Sequence, residues 1–576
     1  MVHRTARSGL LMAAGMDHEV DCPAGTSMDT ESFPDVGRVT IATRVRPGER
    51  LRITKFLAYG WSSQRSRPAV RDQVIAALAG AKFTGWDDLL AEQRAYLDEF
   101  WAGADVELEG DAEVQQAVRF GLFHILQAGA RAEQRFIPAK GLTGPGYEGH
   151  TFWDTETFVL PVLTYTKPQA AADALHWRYL TLPLAQDRAK QLGLEGAAFP
   201  WRTIRGHECS SYWPAGTAAF HINADIADAV IRYVDATEDE DFEREVGAEL
   251  LVQTARLFRS LGHHDLEGRF RIDGVTGPDE YGAITDNNVY TNLMAQQNLS
   301  AAANVAARHP EWAKRLGVSS EEAASWRDAA SAMVIPYDER QGVHPQSEEF
   351  TDHALWDFEA TRPEQYPLFL HFPYFDLYRK QVVKQADLVL AMHLQGHAFD
   401  PEEKARNFAY YESLTVRDSS LSACTQSVIA AEVGQLDLAY DYLGEAALMD
   451  LADLQHNTRT GLHIGALAGA WTALVAGLGG MRARNGELRF APRLPGQISR
   501  LAFRLRYRGR RVKVTVTPEV TKYELLEGSS LSVWDHGEKV VLVDEPVARP
   551  IPPIRGGPRP TQPEGRQPQT RLAAAS

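Results

Sequence analysis

The sequence predicts a mainly α fold, a helical barrel or toroid with a cleft at one end, flanked by β segments. Three observations carry this. Roughly a dozen stretches between residues 111 and 478 place apolar side chains at i, i+3 and i+4, among them AEVQQAVRFGLFHILQAGAR, AAFHINADIADAVIRYV and SLSACTQSVIAAEVG. The apolar period changes to two after Gly486, and it is also two between Val36 and Ser62. The most unusual acidic, aromatic and amide residues fall in Gly- and Pro-containing loops between helices, where a helical barrel presents its site.

Taken in order, residues 1–36 mix Gly, Pro, Asp and Ser without periodicity and read as an unstructured leader. From Val36 the chain alternates apolar and polar residues and is broken at Pro47-Gly48, a strand, a turn and a strand. An isolated hairpin is marginal in water, so either partner strands come from elsewhere in the chain or residues 37–70 are the remnant of a larger β domain. Val74, Leu78, Trp86, Leu90 and Leu97 recur at helical spacing and make residues 71–110 a helical linker. Residues 111–480 form the helical body. Residues 481–547 read as a small antiparallel β module with a basic hairpin at Tyr507-Arg508-Gly509-Arg510. The Pro-, Gly- and Arg-rich end, residues 548–576, has almost nothing to bury and is expected to be disordered.

Composition narrows the function. With 44% apolar and 24% charged residues over 576, the chain is neither fibrous nor globally disordered. Sixty Lys and Arg against 76 Asp and Glu leave a net charge of −16, a field that repels nucleic acid and anionic lipid. Cys22, Cys209 and Cys424 are too sparse for a disulfide framework and match no zinc spacing. No run of about eighteen apolar residues spans a bilayer, and a soluble, cytoplasmic protein is expected.

Four loop regions hold the chemistry. In GLTGPGYEGHTFWDTETFVLP, Trp153 beside Asp154 and Glu156 offers a sugar an apolar face and hydroxyl acceptors, though the same acids also suit the first turn of a helix. FPWRTIRGHECSSYWPAG packs Trp201, Arg202, His207, Glu208, Tyr212 and Trp213 into one loop; His207, Glu208 and Cys209 are adjacent and cannot all face one ion, so a metal is not expected. In TGPDEY, Gly277-Pro278 forces a turn that presents Asp279, Glu280 and Tyr281 before a helix, a place where a carboxyl can serve as general acid. Lys384-Gln385, the SLTVRDSSLSACTQ stretch and His463 after Gly461 supply amides, hydroxyls and helix starts suited to an anion.

FWDTE (152–156), PWRT and GHE (200–208), TGPDEY (276–281), KQAD (384–387), DSSLS (418–422) and GLHIGALAGAW (461–471), in this order, resemble glycoside hydrolase family 65. That family holds inverting phosphorylases of maltose, trehalose and kojibiose and a few hydrolases. The resemblance implies an N-terminal β-sandwich, a helical linker, an (α/α)6 barrel and a small C-terminal β-sandwich. Because FWDTE begins already at Phe152, it implies that only a remnant of the first sandwich is present and that the chain is truncated at its start. It implies Glu280 as the general acid and Trp153, Asp154, Lys384 and Gln385 as holders of the glucosyl ring, with Glu208 near the leaving sugar. Ser419, Ser420 and His463 fall where the family binds phosphate; Arg417 stands where many relatives have His and is expected to add to that pocket.

An inverting glycosidase pairs its acid with a base that activates water, whereas a phosphorylase replaces the base by phosphate itself. The expected reaction is phosphorolysis of an α-linked disaccharide to β-glucose 1-phosphate and a free sugar. Inorganic phosphate is the co-substrate, no metal or organic cofactor takes part, and a homodimer is the expected assembly. The alternatives are a water-using hydrolase, with Glu412 as the base, and a truncated, inactive sugar-binding homologue.

Overall fold

The computed structural model describes residues 1–6, 8–129, 134–554 and 556–571. Two compact units divide it, residues 1–102 and 103–576.

The first unit begins with strands β1 (Val2–Arg4), β2 (Leu11–Asp21), β3 (Ser27–Ser32), β4 (Gly37–Ala42) and β5 (Arg52–Ser62). The expected leader is therefore largely strand. β2 runs antiparallel to β5 over its whole length, from Leu11 opposite Ser62 to Asp21 opposite Arg52. The expected hairpin across Pro47-Gly48 does not form either, since β4 pairs with β3 and β5 with β2. The signal was hidden by small residues: Leu11 and Ala13 are buried with Val70 and Val74 of helix α1 (Arg67–Thr84). A Cβ on Gly15 would meet Val74 Cγ1 at 2.8 Å, so close approach of helix to sheet needs glycine there. Burying each of those valines contributes about 1.5–3 kcal/mol. Ser66 caps α1, and the chain breaks at Gly85 (φ 80°) before α2 (Trp86–Ala104).

In the second unit β6 (Val106–Glu109), at the end of the expected linker, joins the C-terminal sheet rather than the helices. Among the described residues twelve helices, short ones within the connections aside, then alternate strictly. The odd-numbered ones are α3 (Ala112–Gly129), α5 (Pro168–Gln191), α7 (Ala248–Leu261), α9 (Ser320–Ser331), α11 (Pro401–Glu412) and α13 (Leu436–Leu448). Between them lie α4 (Leu160–Thr166, led by the turn Thr155–Val159), α6 (His221–Thr237), α8 (Val289–Arg308), α10 (Asp387–Leu394), α12 (Ser422–Glu432) and α14 (Ile464–Thr472). Each even-numbered helix packs on the next, and α14 returns to the turn before α4, closing an inner ring; each odd-numbered helix leans on the outside of one or two inner ones. The mainly α class and the (α/α)6 barrel are thus the architecture found.

Inner helices α12 and α14 are buried on nearly every side, which explains their small, weakly amphipathic sequences. Gly469 of α14 is one cause of the tight seam with α12, because a Cβ there would lie 2.6 Å from the Cys424 sulfur. Among the described residues no helix is long and apolar enough to cross a membrane, and no cluster of metal-ligating side chains is present.

The C-terminal module has two sheets. One holds β7 (Arg482–Arg484), β8 (Glu487–Phe490), β12 (Leu531–Asp535) and β13 (Glu538–Leu542). The other orders β14 (Val547–Pro550), β11 (Val520–Glu527), β10 (Arg510–Val516), β9 (Arg500–Tyr507) and β6. Phe490 of the first meets Phe503 and Tyr523 of the second at ring distances of 6.2 and 5.5 Å, the inner faces of a sandwich. The basic hairpin turns at Arg508 and Gly509, both with positive φ, as a tight two-residue turn requires.

The tail expected to be disordered from residue 548 instead begins as a strand and continues in contact with the barrel. Gln562 Nε2 donates to Glu412 Oε2 (2.8 Å), Arg559 pairs with Asp441 (3.2 Å), and Arg571 pairs with Asp111 (2.8 Å) and Glu113 (2.9 Å). Polar docking needs no apolar sequence, so composition gave no sign of it. Residues 555 and 572–576 of this tail lie outside the described residues.

Candidate active site

The six sequence motifs lie in connections that run from an outer helix to the next inner one or at the inner-helix starts that these connections lead into, with GLHIGALAGAW continuing along α14. Strict alternation puts those connections at a single end of the barrel, with the N-termini of the inner helices beneath them. Three of these termini, at Ala386, Leu421 and His463, carry no side-chain cap, leaving backbone N–H groups for a ligand.

The turn before α8 is built around two buried carboxylates. Asp387, at the start of α10, accepts from Asp279 N (2.6 Å) and from Asn288 Nδ2 (2.8 Å), and Asn288 in turn caps α8. Asp279 accepts from Lys384 N (2.9 Å), Tyr281 N (3.2 Å) and Gln346 Nε2 (2.9 Å). Burial raises the carboxyl pKa of both, Asp279 to about 6 and Asp387 well above its ordinary value. With Asp279 turned inward, its neighbour Glu280 is left partly exposed, and its Oε2 accepts from Lys384 Nζ at 2.8 Å. Burial disfavours the Lys384 ammonium, but the Glu280 charge outweighs it and raises the pKa. Tyr212 approaches from the 200–216 loop, donating to the Glu280 carbonyl (2.9 Å) and sharing a hydrogen bond with Tyr378 (2.8 Å).

Gln385 ties this turn to the serine loop: its Nε2 donates to the Pro278 carbonyl (2.6 Å) and its Oε1 accepts from Ser419 Oγ (2.5 Å). Ser422 Oγ donates to the Lys384 carbonyl at 3.2 Å. Ser420 makes no hydrogen bond through its hydroxyl among the described residues, which leaves that group for a ligand. Trp153 is buried, with its ring edge-on to Phe158 (5.5 Å) and His221 (5.2 Å), and lines a small cavity with Pro278, Gln385, Leu421 and Ser422. His221 is itself fixed by Asp225 (2.8 Å), which also accepts from Tyr290 (2.7 Å). Asp154 lies against the start of α14, where a Cβ on Gly465 would come within 3.1 Å of its Oδ2. Burial pushes the Asp154 carboxyl up to about 7, with Lys140 acting in the opposite sense.

His463 is held from two sides, its backbone N–H and its Nδ1 each 2.7 Å from the two oxygens of Asp450. This orients the ring and leaves Nε2 as its outward group. Lys140 Nζ donates to the Gly461 carbonyl at 3.0 Å and steadies the same loop.

Two further residues expected at the site make extensive contacts within the protein. Arg417, in a left-handed conformation (φ 54°), turns its guanidinium onto Glu445 (3.1 and 3.3 Å), the Tyr442 ring and the Arg566 carbonyl, so its donors are committed to protein. Glu208 accepts from Trp201 N (2.7 Å), Cys209 N (2.9 Å), Ser210 N (2.8 Å) and Ser210 Oγ (2.6 Å). It therefore buckles the loop that delivers Tyr212. Sequence reasoning missed Asp387, Asp450 and Lys140; Asp387 alone had a sign, its place in KQAD.

A closed helical barrel whose open end gathers a lysine-paired carboxyl, hydroxyls and helix N-termini defines a carbohydrate-active enzyme of the (α/α)6 class. Domain models of glycosyl hydrolase family 65 match in three parts, the N-terminal domain at residues 1–100, the central catalytic domain at 119–472 and the C-terminal domain at 481–542. The chain belongs to glycosyl hydrolase family 65. It is 60% identical to an uncharacterized glycosyl hydrolase of Mycobacterium leprae, over 99% of this chain and 72% of the relative. It is 40% identical to an alpha,alpha-trehalose phosphorylase of Thermoanaerobacter brockii (94% and 71% covered) and 31% identical to a maltose phosphorylase of Bacillus subtilis (93% and 73%). Among solved structures, one described as a candidate kojibiose phosphorylase from human microbiome superposes with a TM-score of 0.85 at 27% identity, over 96% of this chain and 76% of that one. The N-terminal match at residues 1–100 takes the expected leader and remnant into one family domain.

Proposed function

We propose that the enzyme catalyses inverting phosphorolysis of an α-glucosidic disaccharide, giving β-glucose 1-phosphate and a free sugar. The observation that carries this is the engagement of the two carboxylates that flank the serine loop, Glu412 and Asp418. Inversion by water needs a second carboxylate roughly 6.5–9.5 Å from the acid. Glu412, the residue considered for that role, is buried and accepts from Gln426 (2.6 Å), Tyr442 (2.7 Å) and Gln562 (2.8 Å). Asp418 accepts from Tyr281 Oη (2.7 Å), Leu368 N (2.8 Å) and Arg566 (3.0 Å). Each is committed to protein donors, while the Ser420 hydroxyl, His463 and the uncapped starts of α12 and α14, next to Ser419, form a donor-rich wall. That wall suits a nucleophile that brings its own negative charge.

In this reading the Glu280 carboxylic acid gives its proton to the glycosidic oxygen as the C1–O bond breaks, and a phosphate oxygen bonds to C1 from the opposite face. Lys384 then neutralises the carboxylate that forms. Asp154 and Gln385 hold glucosyl hydroxyls, and Glu208 acts on the departing sugar through the Tyr212 loop. Arg417 stabilises the phosphate wall from behind. Trehalose is the first substrate to test, since the trehalose phosphorylase relative stands at 40% identity against 31% for the maltose enzyme. The test incubates trehalose, maltose and kojibiose with and without phosphate and assays glucose 1-phosphate and its anomer. β-Glucose 1-phosphate formed only with phosphate is the expected result; glucose released at the same rate without phosphate overturns it.

A further inference from the structure

The C-terminal segment past residue 550 lies beyond the family's C-terminal domain match, which ends at residue 542, yet it reaches Asp418, which is bonded to Tyr281 of the catalytic turn. Arg566 makes the contact. Its Nε donates to the Val416 carbonyl (2.6 Å), its Nη2 donates to the same carbonyl and to Asp418 Oδ1 (3.0 Å), and its guanidinium lies 4.5 Å from the Tyr366 ring centroid. Its own carbonyl accepts from Arg417 Nη1. Contacts from Gln562 on one side and Arg571 on the other hold the segment in place.

Asp418 is a hub. Its side chain is 1% exposed, and the oxygen on the far side from Arg566 accepts from the Tyr281 hydroxyl and from Leu368 N. Tyr281 directly follows Glu280 in the chain, and its hydroxyl also accepts from Phe369 N (3.2 Å). The Phe369 ring in turn lies 5.3 Å from Lys384 Nζ, the cation paired with Glu280. One guanidinium therefore bears on both members of the Glu280–Lys384 pair, through the turn and through the wall beside it. Burial raises the Asp418 carboxyl pKa, and the Tyr281 hydrogen bond and the Arg566 charge oppose that rise. Among the described residues Arg566 is the one ion-pair partner of Asp418, and a buried carboxylate that loses such a partner is strongly destabilised.

We propose that residues 556–571 form a strap belonging to the active site, with Arg566 as a positioning residue. It fixes Asp418, and through Asp418 the Tyr281 hydroxyl and the 368–369 backbone, so that Glu280 and Lys384 keep one geometry. The inference rests on the reading of Glu280 as the reacting acid.

The test uses the full chain, with Arg566→Ala, Arg566→Lys, Asp418→Asn and the Arg566→Ala/Asp418→Asn double variant. Amide hydrogen exchange in peptides covering 279–284 and 366–370 is expected to accelerate about fivefold or more in Arg566→Ala, with peptides of β9 to β11 unchanged and Arg566→Lys partly protected. Disaccharide kcat is expected to fall about 10- to 100-fold with KM within about threefold, and Arg566→Ala is expected to add less than about twofold in the Asp418→Asn background. Unchanged exchange in both peptides, or an undiminished effect of Arg566→Ala in the double variant, overturns the inference. Should the unmodified chain turn over no α-glucoside, the proposed function falls on that result and the exchange data alone decide the role of the strap.

Discussion

Lys384 and Glu280 form a direct ion pair, Nζ to Oε2 at 2.8 Å, across the junction of two inner-helix connections whose motifs are about a hundred residues apart in sequence. The acid needs a proton before the reaction and a counter-charge after it, and the lysine supplies the second. Replacing Lys384 by Met keeps much of the apolar stem but removes the charge-assisted bond. About 1.5–3 kcal/mol is the typical value of such a bond, so kcat/KM is expected to fall roughly 10- to 150-fold. Steady-state kinetics at saturating phosphate measure it, and a loss under twofold would count against the pairing.

Glu280→Gln preserves shape and removes the proton. Cleavage of disaccharides is expected to drop by about two to four orders of magnitude while sugar binding, followed by calorimetry, stays within a few-fold. Unchanged turnover would show that Glu280 is not the acid.

Among the described residues, His463→Ala leaves the Asp450 carboxylate with a backbone N–H alone, and it takes one donor from the start of α14. The KM for phosphate is expected to rise about tenfold or more, with the KM for disaccharide altered less than about threefold. Equal losses for both ligands would mark His463 as structural.

The barrel and the C-terminal sheets could be read from periodicity because helix and strand repeats are local properties. The loops carrying the six motifs could be read because Gly, Pro and clustered aromatics and acids are conspicuous between helices. What escaped was long-range. Asp279 is an acid beside an acid in sequence, and only its contact with Gln346 and the Lys384 backbone reveals that it points inward. Arg417 looked free for phosphate because its partner Glu445 lies 28 residues away on α13. β2 failed the alternation test because its buried face uses Ala13 and Gly15 instead of large residues.

The raised Asp154 carboxyl has a stability consequence. Its pKa of about 7 when folded exceeds the ordinary 3.8, so between these values the folded state binds more protons than the unfolded one. Stability from this group is present below the ordinary value and is lost as pH rises through about 7. Linkage puts the loss at no more than about 4 kcal/mol. Asp154→Asn is therefore expected to gain stability relative to the unmodified protein at pH 8 compared with pH 4, with denaturant midpoints at the two values as the measurement. A difference independent of pH would contradict the shift.

Gly277 tests the construction of the catalytic turn without touching the acid. A Cβ at this position would stand 2.0 Å from Asp387 Oδ2 and 2.5 Å from Asn288 Nδ2, both buried and mutually bonded. Neither can retreat, since Asp387 also holds Asp279 N and Asn288 caps α8. Gly277→Ala must therefore break the Asp387 bonds or move the turn, and overpacking of this kind costs about 1–3 kcal/mol or more. Thermal unfolding should shift downward and kcat should fall by at least tenfold, because Glu280 rides on the displaced turn. Gly282→Ala, where the nearest atom is 3.6 Å away, serves as the companion and is expected to be mild. Equal tolerance at both positions would mean that the turn is softer than its packing implies.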